Sequence, residues 1–238
     1  MKTLVAITVL LSVGLAQASA APILSISGQG LSAASTAEAD FLNSAHSGFL
    51  TETFDDNSFY SVGVQSTKIV SSTGIGGFST IEVGSGGLCD SGPYACDSGI
   101  AVLNATESPF SGRFAVSGGN WLDSMDARQM DISPAKGFNS IGFYITDPND
   151  AGGRLSIGGV DFEFDNIFGS GQSNGRIFYV SLFDQSGLGD ISIFSNNSDD
   201  GYGIDNVTVA NVTEPGTVSL LVLGLFGIAL AVKRRGRG

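Results

Sequence analysis

Short runs in which every second residue is apolar recur through the middle of the chain. Ile141, Phe143 and Ile145 alternate with Gly142, Tyr144 and Thr146, and the pattern returns at Leu155/Ile157, Phe162/Phe164, Phe178/Val180/Leu182, Ile191/Ile193 and Val207/Val209. A period of two sends neighbouring side chains to opposite faces, so each run predicts a half-buried strand. Thr51 to Phe54, Lys68 to Val70 and Phe78 to Val83 add strands between Gly/Ser clusters, with Asp55 to Ser58 as a turn. Several runs follow one another at about eight to twelve residues with no room for a helical crossover, which predicts antiparallel strands in a two-sheet β-sandwich.

A period of 3.6 occurs in one place in the body. From Ser35 to Ala45, Ala37, Phe41 and Leu42 fall on one face, Thr36 is placed to cap the start, and Glu38 and Asp40 suit the positive N-terminal end. One short N-terminal helix is therefore expected. Residues from Ala21 to about Ser32 and from Asn211 to Gly216 have no strand period and are expected to pack poorly.

Both ends of the chain carry long apolar runs. Met1-Lys2, the stretch Leu4 to Leu15 and then Ala18-Ser19-Ala20 form a signal peptide, residues 1–20, with cleavage after Ala20. At the other end Glu214-Pro215-Gly216 breaks the backbone, Thr217 to Val232 is uncharged, and Lys233, Arg234, Arg235 and Arg237 follow directly. Sixteen residues at about 1.5 Å each reach roughly 24 Å, a marginal span of a hydrocarbon core of about 30 Å. The cations retain the end of the tail in the cytoplasm and leave everything before it outside. The chain thus divides into a signal peptide (1–20), an ectodomain (21–210) and a tail (211–238) with a motif at 213–216, a transmembrane helix at 217–232 and a basic cluster at 233–238.

A Glu-Pro-Gly break, a Leu/Gly-rich span and a terminal Arg cluster resemble the PEP-CTERM sorting tail of exported bacterial proteins, with Thr213-Glu214-Pro215 standing where the family has Pro-Glu-Pro. The resemblance implies a membrane-embedded exosortase as partner. It also implies anchorage in the inner membrane before processing, and delivery to the cell surface or extracellular matrix afterwards. The body resembles the jelly-roll ectodomains that often precede such tails. The likeness is carried by Ala37 to Leu42, Glu52 to Asp55, Gly112-Arg113-Phe114, Gly118 to Leu122, Gly142-Phe143-Tyr144 and Gly201 to Val207. In jelly-roll modules a structural calcium often ties the first strand to the last, and the resemblance assigns Glu52 and Asp205 to it.

Composition narrows the functional classes. The 34 glycines, 16 phenylalanines and 14% charged residues suit an all-β chain rich in tight turns. Between Ala21 and Ala210 six basic residues face 22 acids, a net charge of −16, which repels phosphate backbones and excludes nucleic acid as a partner. Cys89 and Cys96 flank a six-residue loop and, in an exported protein, form a disulfide; a metal site would need further Cys or His, and the chain has two Cys and one His.

Acids cluster at Asp55-Asp56, Asp147 with Asp150, Asp161-Glu163-Asp165 and Asp199-Asp200 with Asp205. Their oxygens suit calcium, but no EF-hand spacing is present, and Asp-rich turns are what a sandwich needs in any case. A secreted hydrolase would require paired carboxylates in a distinctive context, or a Ser-His-Asp set built on His46, and neither pattern occurs. Beside a helix end, His46 reads as a favourable cation. A sugar-binding module for extracellular polysaccharide is the main rival to a structural, non-catalytic surface protein. It would stack rings on Trp121 foremost, with Tyr60, Tyr94, Tyr144 and Tyr202 as further aromatics that otherwise read as core or edge packing.

Overall fold

The alternating runs pair into two antiparallel sheets laid face to face. The structure is a computed structural model, described here for residues 21–82, 94, 99–171, 173–196 and 200–213. The first sheet follows the order β1 (Ile23–Ile26), β12 (Ile177–Phe183), β9 (Ser140–Thr146), β14 (Gly203–Val212), β7 (Asn120–Asp123), β6 (Ile100–Asn104) and β3 (Gln65–Ser66), with β2 (Ala45–Glu52) also against β14. The second runs β11 (Val160–Glu163), β10 (Arg154–Ile157), β13 (Ile191–Phe194), β8 (Gln129–Pro134), β5 (Gly76–Glu82) and β4 (Lys68–Val70). Few neighbours are consecutive in the chain, so most connections cross from one sheet to the other.

The predicted apolar positions fill the space between the sheets. Ile141, Phe143 and Ile145 meet Val180, Leu182, Val207 and Val209 of their own sheet and Leu155, Ile157, Ile191 and Ile193 of the other in one buried cluster. Each such side chain contributes about 1.5–3 kcal/mol on leaving water. The opposite face of β9, carrying Ser140, Gly142 and Tyr144, lies under the helix α1 (Leu31–Ser44). Phe41 of α1 packs against Tyr179, and Tyr179 meets Tyr144 edge-on with ring centroids 5.1 Å apart. Two single turns, α2 (Pro148–Ala151) and α3 (Phe164–Ile167), complete the described elements.

Three expectations are corrected. The helix begins at Leu31, four residues before Ser35, because Gly30 turns the chain with φ +102° and its carbonyl accepts the Ala34 N–H; Thr36 sits inside the helix and donates back to the Ser32 carbonyl at 2.9 Å. Residues 21–32 are not loosely packed. Ile23–Ile26 form an edge strand in register with Phe183 to Val180, a segment too short to show a period but apolar enough for Leu24 and Ile26 to reach the core. Asn211 and Val212 likewise prolong β14, and Val212 donates its N–H to Asn139 Oδ1 at 2.9 Å.

β14 is the centre of the first sheet. At Gly203 and Ile204 it has β7 on one side and β9 on the other; from Val207 onward β2 takes the place of β7. Between the two partners the register with β9 shifts, and Asn206 adopts φ +48°. Asp205 lies at this break.

Candidate functional site

Three of the buried carboxylates do one job. Glu52, Asp123 and Asp205 stand at the end of β2, the end of β7 and the bulge of β14, and each is followed by a non-glycine residue with positive φ: Phe54 at 60°, Met125 at 54° and Asn206 at 48°. Side chains with a Cβ occupy that region at a cost of about 1–3 kcal/mol. In each case the carboxylate accepts the strained residue's own N–H: Glu52 from Phe54 at 2.9 Å, Asp123 from Met125 at 2.8 Å and Asp205 from Asn206 at 2.7 Å. The acids hold chain reversals that the backbone would not adopt alone.

Each also ties in a distant loop. Glu52 accepts the Ser71 hydroxyl and the Ser72 N–H, both at 2.7 Å, and the Thr73 N–H at 3.2 Å. Burial works against its charge, but hydrogen bonds from Tyr60, Ser71, Phe54 and Ser72 outweigh it and hold the carboxyl below the usual range. Asp205 Oδ2 accepts the N–H groups of Val116 and Ser117 at 2.7 and 3.1 Å. Here burial wins and, with the charge of Asp55 adding to it, pushes the carboxyl up to about 7. Asp55 receives the next turn of the same loop, through Gly119 at 2.8 Å and Asn120 at 3.0 Å; with Gly118 at φ +62°, a Cβ there would run into the Asp55 carboxylate. Glu38 closes the cluster from α1, accepting Tyr144 at 2.7 Å and the Asn206 amide at 3.1 Å.

Asp123 anchors a second lock. It accepts Arg113 Nη1 and the Trp121 indole, both at 3.0 Å, while Arg113 Nη2 reaches Asp200 at 2.8 Å and its guanidinium lies over Phe110 at 4.4 Å. Burial opposes the Arg113 charge, but the two carboxylates outweigh it and keep the guanidinium ionised.

Parts of several distant segments meet here. Glu52 holds the loop from Ser71 to Thr73, Glu38 from α1 holds Asn206 of the bulge, and Asp55 and Asp205 hold successive parts of the loop from Val116 to Asn120. Asp55 and Asp205 pin this loop from segments 150 residues apart in the sequence. Charge clustering picks out Asp55 and Asp205 and the resemblance adds Glu52, but nothing in the sequence marks Asp123, and the positive-φ residues leave no signal either, since Phe54 and Met125 are of types that rarely adopt that conformation.

The sequence nominations fare as follows. Glu52 and Asp205, assigned to calcium by resemblance, face different loops, and their oxygens already receive N–H and O–H donors; among the described residues no group of three or more His, Cys, Asp or Glu is placed to hold a metal ion. Trp121 is corrected as a sugar platform: it is 2% exposed, enclosed with Leu103, Phe110 and Met125. Tyr60, Tyr94, Tyr144 and Tyr202 are buried as well. Tyr144 is covered by α1 rather than by the second sheet.

The other acids are separated from one another. Asp56 caps its own turn through Ser58 and Phe59, Asp147 Oδ1 accepts the Gly175 N–H at 2.7 Å, and Asp161 faces Arg154 at 3.3 Å. His46 follows the helix by two residues, as the second residue of β2, exposed and 2.8 Å from the Thr213 hydroxyl. Cys89, Cys96, the signal peptide and Glu214 to Gly238 lie outside the described residues. Among the described residues no helix is long and apolar enough to cross a membrane.

No family model matches the chain, and no curated protein does. Among solved structures it is similar to the K2 cleaved adhesin domain of Lys-gingipain, at 14% identity and a TM-score of 0.41 over 69% of this chain and 99% of that one.

Proposed function

We propose that the chain is an exported, non-catalytic surface or matrix protein whose jelly-roll-like sandwich is a durable body and whose tail is its address. The signal peptide carries it across the inner membrane, residues 217–232 hold it there, and an exosortase recognises Glu214-Pro215-Gly216 and processes it. Cys89 and Cys96 close a loop by a disulfide in the oxidising space outside. No cofactor is required, and any calcium would be structural.

One observation carries the reading of the body. Glu52, Asp123 and Asp205 are each consumed by clamping a strained turn to a remote loop, an arrangement that fixes a shape and leaves the acids committed as acceptors. A catalytic acid or base needs an approach to substrate instead.

Fractionation of a host that carries an exosortase tests the address. The full chain should leave the inner membrane and reach the surface or matrix, while a chain ending at Gly216 should be released as soluble exported protein. Surface retention of the shortened chain would overturn the role given to the tail.

A further inference from the structure

Strand register gathers apolar side chains at the end of the sandwich where β14 finishes. Ile23 pairs with Phe183, Phe183 with Ser140, Ser140 with Ala210 and Ala210 with Phe49, so one row crosses β1, β12, β9, β14 and β2, roughly 19 Å at about 4.8 Å per strand. The inner members of the row are buried, while Ile23 and Phe49 at its two edges are 42% and 47% exposed. Leu50 follows Phe49 at 41%, and Val160 stands just past the turn whose Gly158 lies against Pro22. Four of the nine large apolar side chains exposed among the described residues thus share this end. Scattered singly they would need no explanation; grouped, they mark a contact surface.

The place where the chain leaves the body says what covers them. β14 ends at Val212, two residues past Ala210, and the Thr213 hydroxyl meets His46 at 2.8 Å. If residues 217–232 span the membrane, Glu214, Pro215 and Gly216 alone separate this point from the bilayer, and four residue steps reach about 14 Å at most. Lys136, Gly137 and Phe138, from the β8–β9 connection, line a groove with Phe49 and Leu50 beside this exit. Asp40, Asp184 and Asp190 stand at the same end, so apolar contact rather than attraction to anionic headgroups is what it offers.

Given the span read at residues 217–232, on which this inference rests, we propose that the anchored chain lays this end on the outer surface of the inner membrane, with Phe49, Leu50 and Ile23 in the headgroup layer. Apolar side chains seat at the boundary between headgroups and acyl chains. A tether this short keeps the patch beside the lipid at an effective concentration of the order of millimolar, so a contact too small to recruit the body alone is still populated. Seated in this way, the body holds Glu214 to Gly216 at the bilayer surface, where a membrane-embedded protease works.

Brominated lipid tests it, because bromine on the acyl chain near the headgroups quenches a tryptophan that touches it. The exported chain, Ala21 to Gly238, is reconstituted into phosphatidylcholine vesicles, with the enclosed Trp121 as common background. Phe49→Trp adds a reporter at the exit end, and Phe114→Trp adds one at the opposite end, near Gly175 just before β12; both positions are exposed. The emission added by Phe49→Trp should be strongly quenched and shifted to shorter wavelength, and that added by Phe114→Trp quenched several-fold less. Leu50→Trp gives the same reading should Phe49→Trp melt below the parent. The vesicles contain no other protein, so quenching reports lipid rather than a partner. A chain that alkaline carbonate strips from the vesicles would overturn the span and this contact with it. A chain that stays, with Phe49→Trp and Leu50→Trp quenched no more than Phe114→Trp, would overturn the contact and leave the span standing.

Discussion

A carboxylate walled off from water responds to pH through the stability of the fold. Asp205 is raised from 3.8 to about 7, so between those values the folded chain holds a proton that the unfolded chain has released, and stability falls as pH rises through that window. The slope approaches about 1.4 kcal/mol per pH unit where the difference is full. Glu52 acts in the opposite sense and elsewhere: its carboxyl is lowered from 4.5, so its contribution is complete above that value and is lost as pH falls through its folded pKa. Asp205→Asn should therefore flatten the decline between about pH 4 and 7, costing more stability at pH 5 than at pH 8 when unfolding is followed in denaturant. An unchanged slope would show that Asp205 is not the group responsible. Trp121 gives a second test at this scale. With its ring enclosed and its indole N–H spent on Asp123, Trp121→Ala should cost about 3–5 kcal/mol and lower the melting temperature, an effect on folding that a surface sugar platform would not produce.

At the scale of elements, the strands with long alternating runs were legible because their period is forced by a core on one side. β9, β12 and β14 all come out where Ile141, Phe178 and Val207 place them. What escaped has a physical reason in each case. β1 has four residues, too few for a period to stand out, and its partner β12 lies more than 150 residues away. α1 starts early because a glycine begins it and no side chain caps it, so the usual signal of Ser, Thr, Asp or Asn was found at the wrong place. β7 presents four buried residues in a row, Asn120 to Asp123, since one face meets the core and the other the Arg113 lock, and alternation vanishes. β1 also protects an edge. A chain beginning at Gly28 would expose the backbone of β12, and sedimentation should then show self-association that the longer chain lacks; a monomer of full stability would mean that β1 is ornamental.

For the molecule as a whole, the two-sheet architecture and its antiparallel pairing could be read from the sequence, while the crossing connections could not, because period tells which face a residue takes and nothing about which strand it meets. Of the acids that charge clustering marks, Asp55, Asp56 and Asp205 serve as internal fasteners, and Asp123, which it does not mark, serves as another. What the body is for depends on where it is sent. In an exosortase-bearing host, Glu214-Pro215→Ala-Ala is the most direct measurement: on the proposed reading, proline disfavours helix at Thr213-Glu214 and glycine adds freedom before residues 217–232, giving a sorting protease a backbone to reach. Export should be unaffected, since the signal peptide is intact, and full-length protein should accumulate in the inner membrane with Lys233 to Gly238 still attached. Processing and surface delivery of the Ala-Ala chain at the level of the parent would contradict the sorting role, leaving residues 217–232 as a plain anchor.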